Sequence, residues 1–197
     1  MGLEAYRRRR DFSRTPEPRG ADMPRDGAKP RFVIHEHDAS THHFDLRLEV
    51  AGVLRSWAVP KGPSTDPREK RLAVPTEDHP LAHAEFEGVI PEGEYGAGTV
   101  LVWDAGSYRN PKTDDDGEPV PVEEQLDDGH ATVWLEGEKL RGGYALTRVA
   151  EGDDERWLLV KMDDEEADAR RNPVSTEPTS VLTGRTLKEV AEEEGDA

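Results

Sequence analysis

A mostly-β domain, barrel or sandwich, with a few short helices is the fold class this sequence predicts, and two observations predict it. Apolar residues recur in short alternating runs (RFVIHEH, HFDLRLEV, VLRSWAV, RLAV and GTVLVWD), each bounded by Gly, Pro, Asp or Ser, which is how closely spaced strands read. Leu, Ile, Val and Phe are sparse over the chain of 197 residues, yet they gather in residues 31–103 and 131–162, so the core lies there.

In chain order, residues 1–30 read as an arm: a basic cluster from Arg7 to Arg10, then Thr15-Pro16-Glu17-Pro18 and a Gly/Pro-rich stretch to Pro30. The five runs named above follow as strands. Residues 110–130 read as an acidic loop with room for one helical turn. ATVWLEGEKLRGGYALTRV and RWLLVKM supply about three more strands, with Gly142-Gly143 expected as a turn or bulge. The domain is thus expected over 31–162, and 163–197 as an acidic tail with one short helix from Leu187 to Glu194, N-capped by Thr186. Residues 180–188 read equally as a linker-plus-helix docking segment or as part of a disordered end.

With 26 Lys plus Arg against 43 Asp plus Glu, the net charge is −17, and charged residues reach 35% against a usual value of about 25%. The bland reading of this acidity is solvation, as in proteins adapted to high salt. A nucleic acid would be repelled at long range unless cations are gathered locally. There is no cysteine, so disulfides and thiolate chemistry are excluded. The N-terminus has no apolar segment after its arginines, and no run approaches the roughly 18 apolar residues of a membrane helix. A soluble cytoplasmic protein without a membrane partner is expected.

Six of the seven histidines fall between positions 35 and 83. In His43-Phe44-Asp45-Leu46-Arg47-Leu48-Glu49 strict alternation puts Phe44, Leu46 and Leu48 on one face and His43, Asp45 and Arg47 on the other. The apolar face must be buried, so the polar face is a functional candidate. The preceding strand carries His35 and His37 on one face, and Asp38 to His42 is short enough for a hairpin loop, which sets His37 beside His43. Two imidazoles and a carboxylate suit a divalent transition metal with open positions; a solvated face with an Asp45–Arg47 pair is the alternative. Downstream, Lys61 in a Pro/Gly turn and Arg71 opening another alternating strand could join Arg47 and a histidine in a phosphate cage. His43-x-Asp45 also matches a non-haem Fe(II) oxygenase triad, with His79 or His130 as the distal histidine, but that leaves Lys61 and Arg71 idle.

These strings resemble the 3′-phosphoesterase domain of DNA ligase D and its stand-alone relatives. The resemblance is carried by Arg9-Arg10-Asp11-Phe12, Thr15-Pro16-Glu17-Pro18, His37-Asp38-Ala39, the His43–Glu49 strand, Ser56-Trp57-Ala58-Val59-Pro60-Lys61-Gly62-Pro63-Ser64, Arg71-Leu72-Ala73-Val74, Glu77-Asp78-His79-Pro80-Leu81 and Tyr95-Gly96-Ala97-Gly98. It implies a small β-barrel with flanking short helices. It also implies a manganese-dependent enzyme (cobalt or another divalent transition metal being alternatives) that heals 3′ ends in DNA break repair by non-homologous end joining. The expected substrate is a primer–template whose 3′ end carries a ribonucleotide or a phosphate. The terminal ribonucleoside is removed first and the 3′-phosphate second.

By the same resemblance His37, His43 and Asp45 are metal ligands, and Arg47, Lys61, Arg71 and His79 face the scissile phosphate. Arg10, Asp11 and Glu17 belong to an arm that closes over the site. Two positions depart from the pattern: His35 stands where glutamine is common and His83 where tyrosine is common. Both are expected at the substrate. No ligase or polymerase module fits in this length, so a sealing enzyme is expected in trans, at the nucleoid. An inactive DNA-end adaptor is the non-enzymatic alternative.

Overall fold

The computed structural model describes residues 2–20 and 29–195. The 21–28 part of the expected Gly/Pro-rich arm, and residues 196–197 of the expected tail, lie outside them.

The expected strands form, and they close on themselves. Strands β1 (Arg31–Asp38), β2 (His42–Val50), β3 (Val53–Val59) and β4 (Lys70–His79) run as antiparallel neighbours. They are followed in chain order by β5 (Gly88–Ile90), β6 (Gly98–Arg109), β7 (His130–Gly137), β8 (Arg141–Ala150) and β9 (Arg156–Lys161). β4 pairs with β9, then the order runs through β8 and β7 to β6, and β6 pairs back onto β1. The result is a closed eight-stranded antiparallel barrel, with the short β5 added to β6. Closure leaves no free edge among the eight, which removes the exposed row of backbone donors that an open sheet presents.

Alternation fills the barrel. Phe32 and Ile34 from β1, Phe44, Leu46 and Leu48 from β2, and the indoles of Trp57, Trp103 and Trp157 belong to one buried cluster. The opposite face of β1 is not left to solvent: Val33 joins Leu54, Leu81, Ala84 and Val102 in a second small core under the 3₁₀ turn Leu81–Glu85. Covering that outer face is what lets a row of histidines be buried there.

One local expectation changes. Gly142 and Gly143 lie inside β8, paired with Leu135 and Trp134, while the turn falls at 138–140. There the buried Asp104 carboxylate accepts the backbone N–H groups of Glu138, Lys139 and Leu140, so a remote side chain, not a glycine pair, closes the hairpin. The glycines are needed for space, since a Cβ on either would press on side chains of the segment after β9.

The segment after β9 is largely exposed but anchored to the barrel at a few points. The Trp103 indole N–H and the Lys139 ammonium both donate to the Glu177 carbonyl, each at 2.8 Å. Helix α4 (Leu187–Glu194; the earlier helices are α1, Glu4–Arg8, α2, Val122–Asp127, in the acidic loop, and α3, Pro173–Thr176) has the expected Thr186 cap, completed by Glu189 as a capping box. Its Val190 is fully buried in the main core cluster.

Candidate active site

Polar side chains on the outer faces of β1 and β2 make the centre of the site. The hairpin register sets His37 directly opposite His43 and His35 opposite Asp45. His43 Nε2 lies 3.3 Å, His37 Nδ1 3.8 Å and an Arg47 terminal nitrogen 3.4 Å from the same oxygen, Asp45 Oδ2. One ligand atom from each of His37, His43 and Asp45 falls within 4.8 Å of the others.

The backbone presents these imidazoles for a metal. His37 Nε2 donates to the Gly96 carbonyl at 2.8 Å, and His43 Nδ1 donates to the Thr41 carbonyl at 2.8 Å. Each bond fixes the proton on the outer nitrogen, which leaves the inner lone pairs, Nδ1 of His37 and Nε2 of His43, facing Asp45. This carbonyl-backed arrangement is what metal-ligating histidines show. The donor set suits a divalent transition metal.

Arg47 stands beside this trio. Its Nε donates to His35 Nδ1 at 3.1 Å, and His35 Nε2 donates to the Phe86 carbonyl at 3.1 Å. His35 is therefore completely enclosed behind Arg47 and acts on the guanidinium; it does not line the cavity. One acceptor and one donor in line is also what a glutamine amide offers.

The arm completes the wall. Asp11 caps its turn by accepting from Ser13 and stays exposed, away from the cavity, whereas the chain beyond it turns Glu17 inward. Arg10 is nearly buried between Glu17 (Nε–Oε2 3.0 Å) and Glu77 of β4 (3.0 Å), with its guanidinium 3.9 Å from the Tyr6 ring centroid. His83 Nε2 meets Glu17 Oε2 at 3.1 Å. Glu17, His79 and His83 form a second group of metal-type donors, but here the Arg10 guanidinium supplies the cation. His79 Nδ1 lies 2.9 Å from the Glu77 carbonyl and 3.1 Å from an Arg47 terminal nitrogen, and its Nε2 lies 3.5 Å from an Arg10 nitrogen.

A cavity of about 320 Å³ joins these groups, lined among others by His37, His43, Asp45, Arg47, His79 and His83. Its charged lining is three carboxylates (Glu17, Asp45, Glu77) against two guanidiniums (Arg10, Arg47), a net −1. One divalent cation turns that to +1, the sign that holds a phosphoryl group.

Lys61 and Arg71 are not brought into this lining. Lys61 is exposed in the turn after β3, and Arg71 pairs with Glu69 at 2.6 Å near the start of β4. Arg71 stands eight positions before His79 on β4, roughly 26 Å of extended chain. His130 is exposed at the start of β7 against Thr147, so it supplies no distal ligand. Glu77 and Tyr95 are the residues sequence reasoning missed; Glu77 stood next to a quoted histidine, but only the docked arm gives it a role.

Protonation follows the packing. Burial would raise the Asp45 pKa, yet Arg47 and the two imidazoles hold it well below the carboxylate range. Burial lowers His43, but Asp45 outweighs it and the net shift is upward. His35, His79 and His83 are pushed well below 6.5 by burial first and then by Arg47. In the unfolded chain they titrate near 6.5, so below that value the unfolded state binds more protons. Their stabilisation is complete above 6.5 and is lost as the pH falls from there toward their folded pKa values. His43 has the opposite sign, its contribution being present below 6.5 and lost as pH rises. Three groups outweigh one, so in EDTA the melting temperature should fall by several degrees from pH 7.5 to 5.5. His35→Gln should flatten that slope; an unchanged slope in the variant would remove His35 from the account.

Comparisons with known proteins agree with this geometry. Residues 35–148 match the family model described as the DNA Ligase D 3′-phosphoesterase domain. The chain is 48% identical over 189 residues to the multifunctional non-homologous end joining protein LigD of Pseudomonas aeruginosa, which covers 94% of this chain and 22% of that protein. It is 45% identical over 168 residues to the LigD protein of Mycolicibacterium smegmatis, covering 83% of this chain and 21% of that one. Against the multifunctional non-homologous end joining DNA repair protein LigD of Mycobacterium tuberculosis the identity is 46% over 160 residues, 81% of this chain and 20% of the relative. The chain spans about a fifth of the length of these relatives. Among the described residues, no helix is long and apolar enough to cross a membrane.

Proposed function

Since the chain belongs to the DNA ligase D 3′-phosphoesterase family, we propose that it is a metal-dependent hydrolase of DNA 3′ ends. It removes a terminal ribonucleoside by phosphodiester cleavage and then the remaining phosphate, leaving a 3′-OH for a ligase or polymerase acting in trans. The observation that carries this reading is the single cavity in which His37, His43 and Asp45 converge beside Arg47, Arg10 and His79.

Manganese, or another divalent transition metal, held by His37, His43 and Asp45 supplies Lewis acidity toward a phosphoryl oxygen. Arg47, with Nε fixed by His35, one terminal nitrogen by Asp45 and the other 3.1 Å from His79 Nδ1, offers the N–H groups these contacts leave over to the equatorial oxygens, pre-set and paid for by folding. Cleavage breaks the bond between phosphorus and the nucleoside's 5′ oxygen, water provides the new oxygen, and the leaving oxygen takes a proton. His79 is the donor for that proton: neutral beside Arg10 and Arg47 in the free enzyme, it gains a proton when phosphate charge arrives between them. Lys61 and Arg71, outside the lining, contact the phosphates of the flanking strand.

The test is product analysis on a 5′-labelled primer–template whose primer ends in one ribonucleotide, with manganese and with EDTA. Loss of the nucleoside, then appearance of a 3′-OH, is expected with metal alone, and His37→Ala should abolish both steps. No metal-dependent trimming at low or high salt would overturn the reading in favour of an end-binding adaptor. His79→Ala should cost about 10²-fold. His35→Gln should stay within a few-fold of the parent, whereas His35→Leu, which leaves Arg47 Nε without its acceptor, should lose about 10- to 100-fold in kcat. Equal rates for the Gln and Leu variants would show that Arg47 does not need the bond.

A further inference from the structure

We propose that Tyr95 is a stacking shelf for the nucleobase of the 3′-terminal nucleotide, a subsite that rests on the reading above and specifies how its substrate is held. Among the described residues the exposed large apolar side chains are Leu72, Tyr95, Val149, Met162 and Leu182, and Tyr95 is the single aromatic one. It is also the one of these that lines the cavity holding His37, His43 and Asp45. Three of the four tryptophans, Trp57, Trp103 and Trp157, are buried and Trp134 is partly so, whereas the Tyr95 ring is left 44% exposed at this rim.

Its position is set by the site. Tyr95 lies in the turn between β5 and β6, where Glu94 N–H returns to the Pro91 carbonyl and Ala97 N–H to the Glu94 carbonyl. The next residue, Gly96, provides the carbonyl that orients His37. The ring is therefore tied through one peptide unit to a metal ligand, so its distance from the metal centre does not drift with the loop. Its hydroxyl accepts from Arg9 at 2.9 Å and faces Glu77 at 3.5 Å, which fixes the ring edge. The guanidiniums of half-exposed Arg9 and of Arg10 sit 5.1 Å and 5.3 Å from the ring centroid and hold the ring against the arm.

A phosphoryl group between Arg47 and the metal ligands projects its nucleoside toward the cavity mouth, where this ring stands. Stacking uses the π-face that every base has, so the shelf accepts purines and pyrimidines alike. Arg9 and Arg10 of the arm place positive charge beside the same ring.

The experiment crosses the ring with the base. KM for ribonucleoside removal is measured on primers ending in a normal ribonucleotide or in an abasic ribose, with the parent, Tyr95→Phe, Tyr95→Trp and Tyr95→Leu. The parent should bind the base-bearing primer about 10-fold better than the abasic one. Phe and Trp should keep that ratio, and Leu should bring it to near one. A ratio unchanged in Tyr95→Leu, or lost equally in Tyr95→Phe, would overturn the shelf and leave Tyr95 as a clamp on Arg9 and Glu77. Quenching of 2-aminopurine at the primer terminus in EDTA reads the same stacking without turnover: quenching by the parent and Tyr95→Phe but not by Tyr95→Leu supports the shelf, and equal signals overturn it. A chain that trims no primer but still quenches through Tyr95 loses the hydrolase reading and keeps the shelf.

Discussion

Asp45→Asn should strip the site of its metal and lower primer trimming by about 10³-fold or more, at least 4 kcal/mol of transition-state stabilisation. Asp45 Oδ2 is the atom on which His37, His43 and Arg47 all converge. An asparagine keeps the shape and removes the charge, so a bound cation loses its only anionic ligand in the trio. The nearly buried Arg47 is left without its partner, and breaking such a pair costs about 3–5 kcal/mol. Metal content by mass spectrometry, steady-state trimming and denaturant unfolding separate the two effects. A variant that stays metal-loaded and within ten-fold of the parent would show that the cation is held elsewhere.

A chain ended after Met162 should fail to fold, and Val190→Asp in the full chain should do nearly the same. Val190 is fully buried in the main cluster, so a carboxylate there has no water and no partner; the expected loss is about 4 kcal/mol or more, comparable to a small domain's whole stability. The truncation removes more, because the Glu177 carbonyl that satisfies the Trp103 indole and the Lys139 ammonium goes with it. Val190→Ala, a milder cavity, should cost about 2–3 kcal/mol and leave trimming at 25 °C intact. Circular dichroism melts and urea titrations read both. A truncated chain with the melting temperature and metal content of the full one would return 163–195 to the status of a dispensable tail.

The juxtaposition of His37, His43 and Asp45 was legible because it depends on two short-range rules. Period-two alternation places His43, Asp45 and Arg47 on one face whatever the barrel does, and a loop as short as Asp38–His42 allows His37 one register opposite His43. The local helix at 187–194 was legible for the same reason, since its capping residues are neighbours in sequence. His35 was placed on the correct strand face but at the wrong depth. Parity says which way a side chain points, and the cover of Leu81–Glu85 that buries it comes from a segment nearly 50 residues away.

What alternation and capping determined, then, was the strand set, the mostly-β class and the His37–His43–Asp45 face. Only the tertiary structure decided the rest. Closure of β6 onto β1, the entry of Arg10 and Glu17 beside Glu77, and the packing of Val190 into the main core cluster all join residues far apart in the chain, and the same packing leaves Lys61 and Arg71 outside the cavity. The physical reason is that local pattern reports how a segment lowers its own free energy against an unspecified partner surface. The identity of that partner is set by which arrangement buries the most apolar area while pairing every buried charge, a condition on the whole chain at once.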